Sequence, residues 1–111
     1  ALKEPTDTII VAAPGGEANF YCSFSLSINV SQVTWQKING TCFQNMATYS
    51  PIHGPRVIGL FQKKVHFTRA TPKASAIILR NLTLEHDSDY RCIFNVHPHG
   101  SLSNEIHLNI Q

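Results

Sequence analysis

The chain has 111 residues, which is the size of one domain, since single domains centre on roughly 100 to 150 residues. Charged residues make up only 14% of it, and a net charge of +2 is too small to indicate a nucleic-acid-binding surface. No apolar run approaches the roughly 20 residues of a membrane-spanning helix. We therefore predict one globular domain over residues 1–111, with no nucleic-acid partner.

Short segments in which apolar and polar residues alternate follow one another along the whole chain. Alternation with a period of two predicts strands with one buried face, and turn residues at this spacing are typical of an all-β sandwich. No segment has the pattern of a long helix. The predicted strands span, in chain order, residues 8–12, 18–26, 33–37, 43–50, 57–61, 65–67, 77–79, 90–94 and 105–110, and residues 51–55 are predicted to form a loop.

Three Asn-x-Ser/Thr sequons, at Asn29, Asn39 and Asn81, accompany three cysteines. Sequons are used in the secretory pathway, whose compartments are oxidising enough for disulfides to persist. The sequence therefore predicts an extracellular protein that is glycosylated at these positions.

Two of the cysteines stand in a pattern with a tryptophan and a tyrosine. Cys22 and Cys92 fall on inward-facing positions of an early and a late strand, Trp35 follows Cys22 by thirteen residues, and Tyr90 stands two residues before Cys92. This is the pattern of immunoglobulin sandwiches, in which a disulfide joins the two sheets, an indole packs against it and a tyrosine closes a corner. Two extra strand segments between residues 37 and 64 predict the V-set form, with about nine strands in two antiparallel sheets.

The third cysteine, Cys42, has no partner in this pattern. It follows the Asn39-Gly40 turn, where we expect it to be exposed. An exposed thiol in an oxidising compartment is usually paired, so an intermolecular disulfide, or a disulfide to a cysteine outside this chain, is one prediction. An inert, partly covered thiol is the other.

One pair of positions departs from the V-set pattern. Such domains usually carry an Asp four residues before the corner tyrosine, paired with an Arg at the base of the sheet. The chain has His86 and Lys64 at these places. Asp87 is the candidate for the acidic role, and whether an ion pair forms is left open.

Three short motifs, 30–32 (VSQ), 47–54 (ATYSPIHG) and 96–100 (VHPHG), resemble the first domains of the nectin, poliovirus-receptor and DNAX-accessory-molecule group. The resemblance implies a cell-surface recognition domain that docks face to face with another immunoglobulin-superfamily protein. It implies that the turn residue at His97 is a key, followed by Pro98 and Gly100, and that Ala47 to Gly54 line the lock. Since the group has an aromatic residue where this chain has His97, we expect a partner that supplies its own aromatic residue, and a homodimer stays possible.

A second set of segments, VTWQK, NMATYS, HG, NLTLE and CIFN, resembles the first domain of the OX-2 membrane glycoprotein family. That resemblance implies an inhibitory ligand for a myeloid receptor, or a viral mimic of one. Both resemblances imply the N-terminal domain of a single-pass membrane glycoprotein. The expected partner is a nectin- or poliovirus-receptor-like protein, or an OX-2 receptor.

Alternation predicts which side chains point outward from the sheet that carries the Trp35 and Cys92 strands. These residues are uncharged, and recognition surfaces are depleted of charge at their centre. The predicted partner-binding face comprises Gln32, Thr34, Gln36, Met46, Thr48, Ile93, Asn95, His107 and Asn109, joined by the lock and key positions Ala47, Gly54, His97, Pro98 and Gly100.

Catalytic and metal sites fit the sequence poorly. His97 and His99 supply at most two of the three or four ligands of a zinc site, and Cys42 has no evident orienting group that would make it a nucleophile. We predict no enzyme, metal, cofactor or small-molecule substrate. Carbohydrate recognition would usually place an arginine on the Cys92 strand. Arg91 is on that strand, but we expect it to neighbour the face of the buried cysteine and not to be obviously presented.

Overall fold

Nine strands and two short 3-10 helices form in the part of the chain that the computed structural model describes, which comprises residues 7–96, 98 and 100–111. The strands are β1 (Asp7–Ala12), β2 (Ala18–Ser23), β3 (Gln32–Asn39), β4 (Cys42–Ser50), β5 (Gly54–Val57), β6 (Val65–Thr71), β7 (Ala74–Leu79), β8 (Ser88–Val96) and β9 (Gly100–Ile110). The 3-10 helices are η1 (Gly59–Lys63) and η2 (Leu84–His86).

The strands form a sandwich of a large and a small sheet. The six-stranded sheet has the order β1-β9-β8-β3-β4-β5, and the three-stranded sheet has the order β2-β7-β6. The predicted all-β sandwich is confirmed. The sheets are antiparallel except at one edge, where β1 pairs in parallel with β9 from Asp7↔Glu105 to Ala12↔Ile110.

The core lies between the sheets and contains the predicted disulfide. Cys22 on β2 is bonded to Cys92 on β8, which joins the small sheet to the large one. A crosslink over a sequence separation of 70 stabilises the fold by about 4 kcal/mol in the chain-entropy model. Trp35 is fully buried, and its Nε1 donates a hydrogen bond of 2.9 Å to Ser75 Oγ on the small sheet. The predicted V-set core is therefore present.

The tyrosine corner closes the lower end of the sandwich, where β3 ends. The hydroxyl of Tyr90 donates a hydrogen bond of 2.7 Å to the backbone carbonyl of His86. His86 belongs to η2, where its Nδ1 accepts a hydrogen bond of 2.9 Å from the backbone N–H of Thr83. Burial, and then the nearby positive charges of Lys64 and Lys37, lower the pKa of His86.

No ion pair joins Lys64 to Asp87 within the described residues. Lys64 Nζ instead donates to the carbonyl of Asn81 at 2.9 Å, and Asp87 Oδ2 accepts from the backbone N–H of Ile110 at 2.9 Å. Asp87 therefore ties the corner to the last strand and does not take part in the salt bridge that V-set domains usually have.

The segment after β4 differs from the prediction. The strand predicted at 57–61 is wrong, because β5 spans Gly54–Val57 and η1 follows it. The loop predicted at 51–55 is confirmed for the turn at 51–53 and wrong for residues 54 and 55, which belong to β5. Glycines with positive φ begin both elements, Gly54 at 71° in β5 and Gly59 at 56° in η1. Only glycine adopts this conformation readily, so the two residues fix where the short strand begins and where the chain turns into η1.

Candidate functional site

The outer face of the six-stranded sheet, the side turned away from the small sheet, is the candidate site. On β8 the burial pattern alternates strictly, with Tyr90, Cys92 and Phe94 buried in the core. The residues between them therefore lie on the outer face, and β9 adds their register partners. These outer residues are Asp89, Arg91, Ile93 and Asn95 on β8, and Ser101, Ser103, Glu105 and His107 on β9.

A bulge in β4 changes which of its residues lie on this face. Trp35 pairs with Ala47 and Gln36 pairs with Asn45, so Met46 has no partner on β3. At such a bulge two residues of one strand stand opposite one residue of the other. Met46 and Ala47 therefore both turn inward, and both are 0% exposed. The prediction that Met46 points outward is wrong, and the side chain of Ala47 also lies in the core and cannot line a surface lock.

The same bulge places an unpredicted aromatic residue on the outer face. Before the bulge the outward residues of β4 are Phe43, opposite Ile38, and Asn45, opposite Gln36. Phe43 is 57% exposed, although it is one of the largest apolar side chains of the strand. Strict alternation back from Thr48 predicts that Met46 and Gln44 point outward. The extra residue of the bulge shifts the alternation by one position, so Asn45 and Phe43 point outward instead.

Arg91 lies on the outer face, so the expectation that it is not presented is wrong. Its Nε donates a hydrogen bond of 2.7 Å to Gln36 Oε1, and Gln36 Nε2 donates one of 2.8 Å to Asn45 Oδ1. Its guanidinium carbon is 5.7 Å from the centroid of the Phe43 ring, within the range of a cation–π contact. Gln36 is only 6% exposed, so the group that holds the guanidinium is itself packed in place.

The lower half of the outer face, towards η2, carries charge. His107 Nδ1 lies 2.6 Å from Asp89 Oδ1, and Glu105 is the register partner of Arg91. Together with Arg91, these residues contradict the prediction of an uncharged face in this half. We call these four residues the charged half of the face.

The upper half of the outer face has no charged side chain among its β3, β8 and β9 positions, and Arg56 on β5, the register partner of Thr48, carries a charge at its edge. Ile93 is paired with Thr34 across β3, and Thr34 is paired with Thr48 on β4. Gln32 Nε2 donates to Thr34 Oγ1 at 3.1 Å, and neighbouring side chains leave Thr34 only 7% exposed. We call this surface the neutral half, and it comprises Gln32, Thr34, Thr48, Ile93, Asn95, Ser101 and Ser103.

The turn between β8 and β9 adjoins the neutral half. The predicted key His97, and His99 two residues later, lie outside the described residues. Pro98 and Gly100, which belong to the same turn, are exposed. Gly54 stands at the same end of the sheet, paired with Ser50.

The three sequon asparagines and the odd cysteine are all exposed at the ends of the sandwich. Asn29 lies in the loop before β3, and Asn81 lies in the segment between β7 and η2. Asn39 and Cys42 face each other as the pair that closes the β3–β4 hairpin, across a two-residue turn in which Gly40 has φ of 59°. Cys42 is a free thiol in this single chain.

Within the described residues, no three His, Cys, Asp or Glu side chains come together as metal ligands do. A helix with the length and apolarity needed to span a membrane is also not found among them.

Comparison with known proteins finds OX-2 glycoproteins and a nectin among the relatives, although no family model matches the chain. The human OX-2 membrane glycoprotein is 33% identical over 86 residues, which is 78% of this chain and 31% of that protein. An OX-2 membrane glycoprotein homolog of human herpesvirus 8 is 31% identical over 80 residues, 72% of this chain and 30% of that protein. Nectin 1b of Danio rerio is 34% identical over 92 residues, 75% of this chain and 17% of that protein. The chain thus spans a third or less of each relative.

Solved structures agree on the fold. A chain from a study of the cell-adhesive interactions of sodium-channel beta subunits has a TM-score of 0.77 at 18% identity, with 95% of this chain and 92% of that chain covered. Murine CRIg has a TM-score of 0.74 at 14% identity, with 93% and 92% covered. At these identities the likeness concerns the fold alone.

Proposed function

We propose that this chain, which is a V-set immunoglobulin domain of the OX-2 and nectin type, acts at a cell surface by binding another immunoglobulin-superfamily protein through its outer face. Its relatives include proteins named as membrane glycoproteins. The disulfide and the exposed sequons fit an extracellular location. We include in the proposal that the domain is the N-terminal part of a longer, single-pass membrane glycoprotein.

The neutral half of the face carries this proposal. Solvent-facing sheet surfaces normally carry charge, whereas the centre of an interface is depleted of it. Ile93 lies at the middle of this half, between Ser103 on β9 and Thr34 on β3. A partner that covers Ile93 and its neighbours on β3, β8 and β9 desolvates hydroxyl, amide and apolar groups and no ion, which costs little free energy. The exposed Arg56 on β5, the register partner of Thr48, lies at the edge of this half.

The charged half supplies specificity in this proposal. Arg91 is held by Gln36 and lies near the exposed ring of Phe43, and arginine and aromatic side chains are the types that dominate binding energy at interfaces. Because Nε is already occupied by Gln36, the terminal nitrogens of the guanidinium are the ones that reach a partner. A carboxylate of the partner fits them, and a basic side chain of the partner fits Asp89 and Glu105 on the neighbouring strands.

The lock-and-key contact takes a modified form here. The turn of His97, Pro98 and Gly100 remains the proposed key. Because Ala47 is buried, the lock segment contributes Thr48, the exposed residues of the β4–β5 turn and Gly54 instead of the alanine side chain.

A second candidate function is that of an OX-2-like inhibitory ligand for a myeloid receptor, or a viral mimic of it. The observation that favours it is that both the human OX-2 glycoprotein and a herpesvirus homolog match more than two thirds of the chain at 31–33% identity. The two candidates use the same face and differ in the partner that binds it.

Surface plasmon resonance of the soluble domain against nectin-family ectodomains and OX-2-receptor ectodomains tests both candidates. Thr48→Arg places a bulky charge in the neutral half, and we expect it to reduce binding at least tenfold. Thr68→Arg is the matched control, because Thr68 is an exposed β6 residue of the opposite sheet. If the partner binds Thr48→Arg as tightly as the parent and is lost with Thr68→Arg, the outer face is not the binding surface.

A further inference from the structure

A groove lies at the upper end of the sandwich, opposite the tyrosine corner. It is bounded by the β2–β3 loop, the β4–β5 turn and the β6–β7 turn, and its volume is about 480 Å³. Its wall is mostly apolar and includes two proline rings. The lining residues are Asn29, Val30, Pro51, Thr71, Pro72 and Lys73.

Asn29 is both a wall of this groove and the acceptor residue of the sequon Asn29-Val30-Ser31. The two residues after it are fixed to the body of the domain. Val30 is buried in the core, and Ser31 is bonded to the carbonyl of Asn95 through both its backbone N–H, at 2.8 Å, and its hydroxyl, at 3.1 Å. The exposed Asn29 side chain is therefore held at the rim of the groove.

The far side of the groove is equally well fixed. Lys73 Nζ donates to the carbonyl of Leu26 at 2.8 Å, and the carbonyl of Lys73 accepts from the backbone N–H of Phe24 at 2.9 Å. The hydroxyl of Thr71 bonds both the N–H and the carbonyl of Ala74, which closes the β6–β7 turn. Two of the three segments that bound the groove, the β2–β3 loop and the β6–β7 turn, are thus anchored, and the groove exists before any ligand enters it.

We propose that the first N-acetylglucosamine of a glycan on Asn29 lies in this groove and stabilises the domain by bridging the β2–β3 loop to the two turns. A pyranose ring has an apolar face of C–H groups and a polar rim. The proline rings of Pro51 and Pro72 match the apolar face, and the Thr71 hydroxyl and the Lys73 stem border the polar rim. The covalent bond to Asn29 holds the sugar beside its site, which raises its effective concentration there.

The position of this glycan complements the proposed recognition surface. The groove lies at the loop end of the sandwich, whereas the neutral and charged halves lie on the sheet. A sugar seated there covers the β2–β3 loop and Pro51 of the β4–β5 turn, and leaves the neutral and charged halves of the outer face open. The two proposals can fail independently, because one is tested by affinity for a partner and the other by the thermal stability of the single chain. Neither Asn39 nor Asn81 lines this groove, so glycans on these residues provide an internal comparison.

The test uses the domain secreted from mammalian cells with high-mannose glycans, in the double variant Asn39→Gln/Asn81→Gln, which keeps only the Asn29 sequon. Endoglycosidase H trims the glycan to its first sugar, and peptide N-glycosidase F removes it completely. We expect the trimmed form to keep the Tm of the untreated form. We expect complete removal to lower the Tm by about 4 °C, a shift typical of a modest loss of stability in a domain of this size.

Two controls separate the groove from general effects. Removal of the glycan leaves Asp at position 29, so a secreted Asn29→Asp variant of the same double variant must show the same lowered Tm. The double variant Asn29→Gln/Asn39→Gln keeps only the Asn81 glycan, and its Tm should not change on complete removal. The proposal is overturned if mass spectrometry finds Asn29 unoccupied, or if the fully deglycosylated form melts at the temperature of the trimmed form.

Discussion

Arg91 Nε and Gln36 Oε1 are joined by a hydrogen bond of 2.7 Å on the outer face of the six-stranded sheet. Gln36 is nearly fully buried and is held in turn by Asn45, so the arginine is oriented before any partner arrives. A side chain that is already ordered loses less entropy on binding, and its contacts therefore contribute more to affinity.

We expect Arg91→Gln to weaken binding of the partner found by surface plasmon resonance by about tenfold or more, which corresponds to roughly 1.4 kcal/mol or more of binding free energy. The loss should be smaller at high salt, since the contact is between charges. Arg69→Gln, an exposed arginine on β6, is the matched control. Equal affinity of both variants and the parent would show that Arg91 takes no part in recognition.

The lowered pKa of His86 predicts how stability depends on pH. A histidine whose folded-state pKa lies below the unfolded value of 6.5 is stabilising when neutral, so its contribution is complete above pH 6.5 and is lost as the pH falls through the folded pKa. Protonation would also place a proton on the Nδ1 that accepts from Thr83. The free energy of unfolding should therefore fall between pH 7.5 and pH 5.

His86→Gln isolates this effect, because glutamine at this position of a capping box accepts the same backbone N–H and does not titrate. Urea unfolding of the parent and the variant at pH 7.5 and pH 5 measures it. The variant should lose less stability than the parent on acidification. An identical pH dependence in the two proteins would assign the effect to other groups.

Met46 is predicted to be a stability determinant and not a contact residue. It is fully buried, so Met46→Ala should lower the free energy of unfolding by about 2–5 kcal/mol through lost burial and a cavity. Gln44→Ala, an exposed position on the same strand, should change it by less than about 0.5 kcal/mol. Denaturant unfolding curves of both variants measure these changes in the free energy of unfolding. An equally small change in the two variants would show that Met46 is not buried.

Ser75 is the partner of the core indole. Ser75→Ala leaves Trp35 Nε1 buried without an acceptor, and we expect a loss of about 1–3 kcal/mol. Ser23→Ala on β2, where the serine is exposed, should be close to neutral. Thermal unfolding followed by tryptophan fluorescence measures both, and near-neutral behaviour of Ser75→Ala would mean that water replaces the hydroxyl.

Cys42 is exposed at a hairpin, where a second molecule can reach it. If it forms an intermolecular disulfide, the secreted protein should run as a dimer on a non-reducing gel and as a monomer after Cys42→Ser. A monomer band in both lanes would contradict the covalent dimer and leave two predictions, the inert thiol and a disulfide to a cysteine outside this chain.

The core could be predicted from the sequence because β2 and β8 alternate without interruption. On such strands the positions of Cys22, Tyr90 and Cys92 fix which face is buried. The same alternation placed Arg91 outward, and the prediction that it is not presented overlooked a signal that the sequence contained. The sequence could not decide whether Lys64 and Asp87 form an ion pair. Asp87 instead accepts a hydrogen bond from the backbone N–H of Ile110, a contact that depends on how the last strand packs.

The outer face was predicted less well than the core, and β4 is the reason. A bulge depends on the pairing of two strands, which is not visible in the alternation of one of them. Two adjacent apolar residues, Met46 and Ala47, were its only sign. Without the bulge, alternation places Met46 on the surface and does not include Phe43. The predicted face contains only uncharged side chains, although the same alternation places Asp89, Arg91 and Glu105 outward.

The unpaired position of Met46 also determines where β4 tolerates a change of length. Phe43 and Asn45 point outward before it, Ala47 points inward after it, and removal of Met46 alone would therefore leave every other side chain of the strand on its present face. Insertion of one residue between Thr48 and Ser50 would instead invert the end of the strand relative to β3 and β5. Loss of a single codon at position 46 would thus reduce the core, whereas gain of one a few positions later would alter the proposed recognition surface.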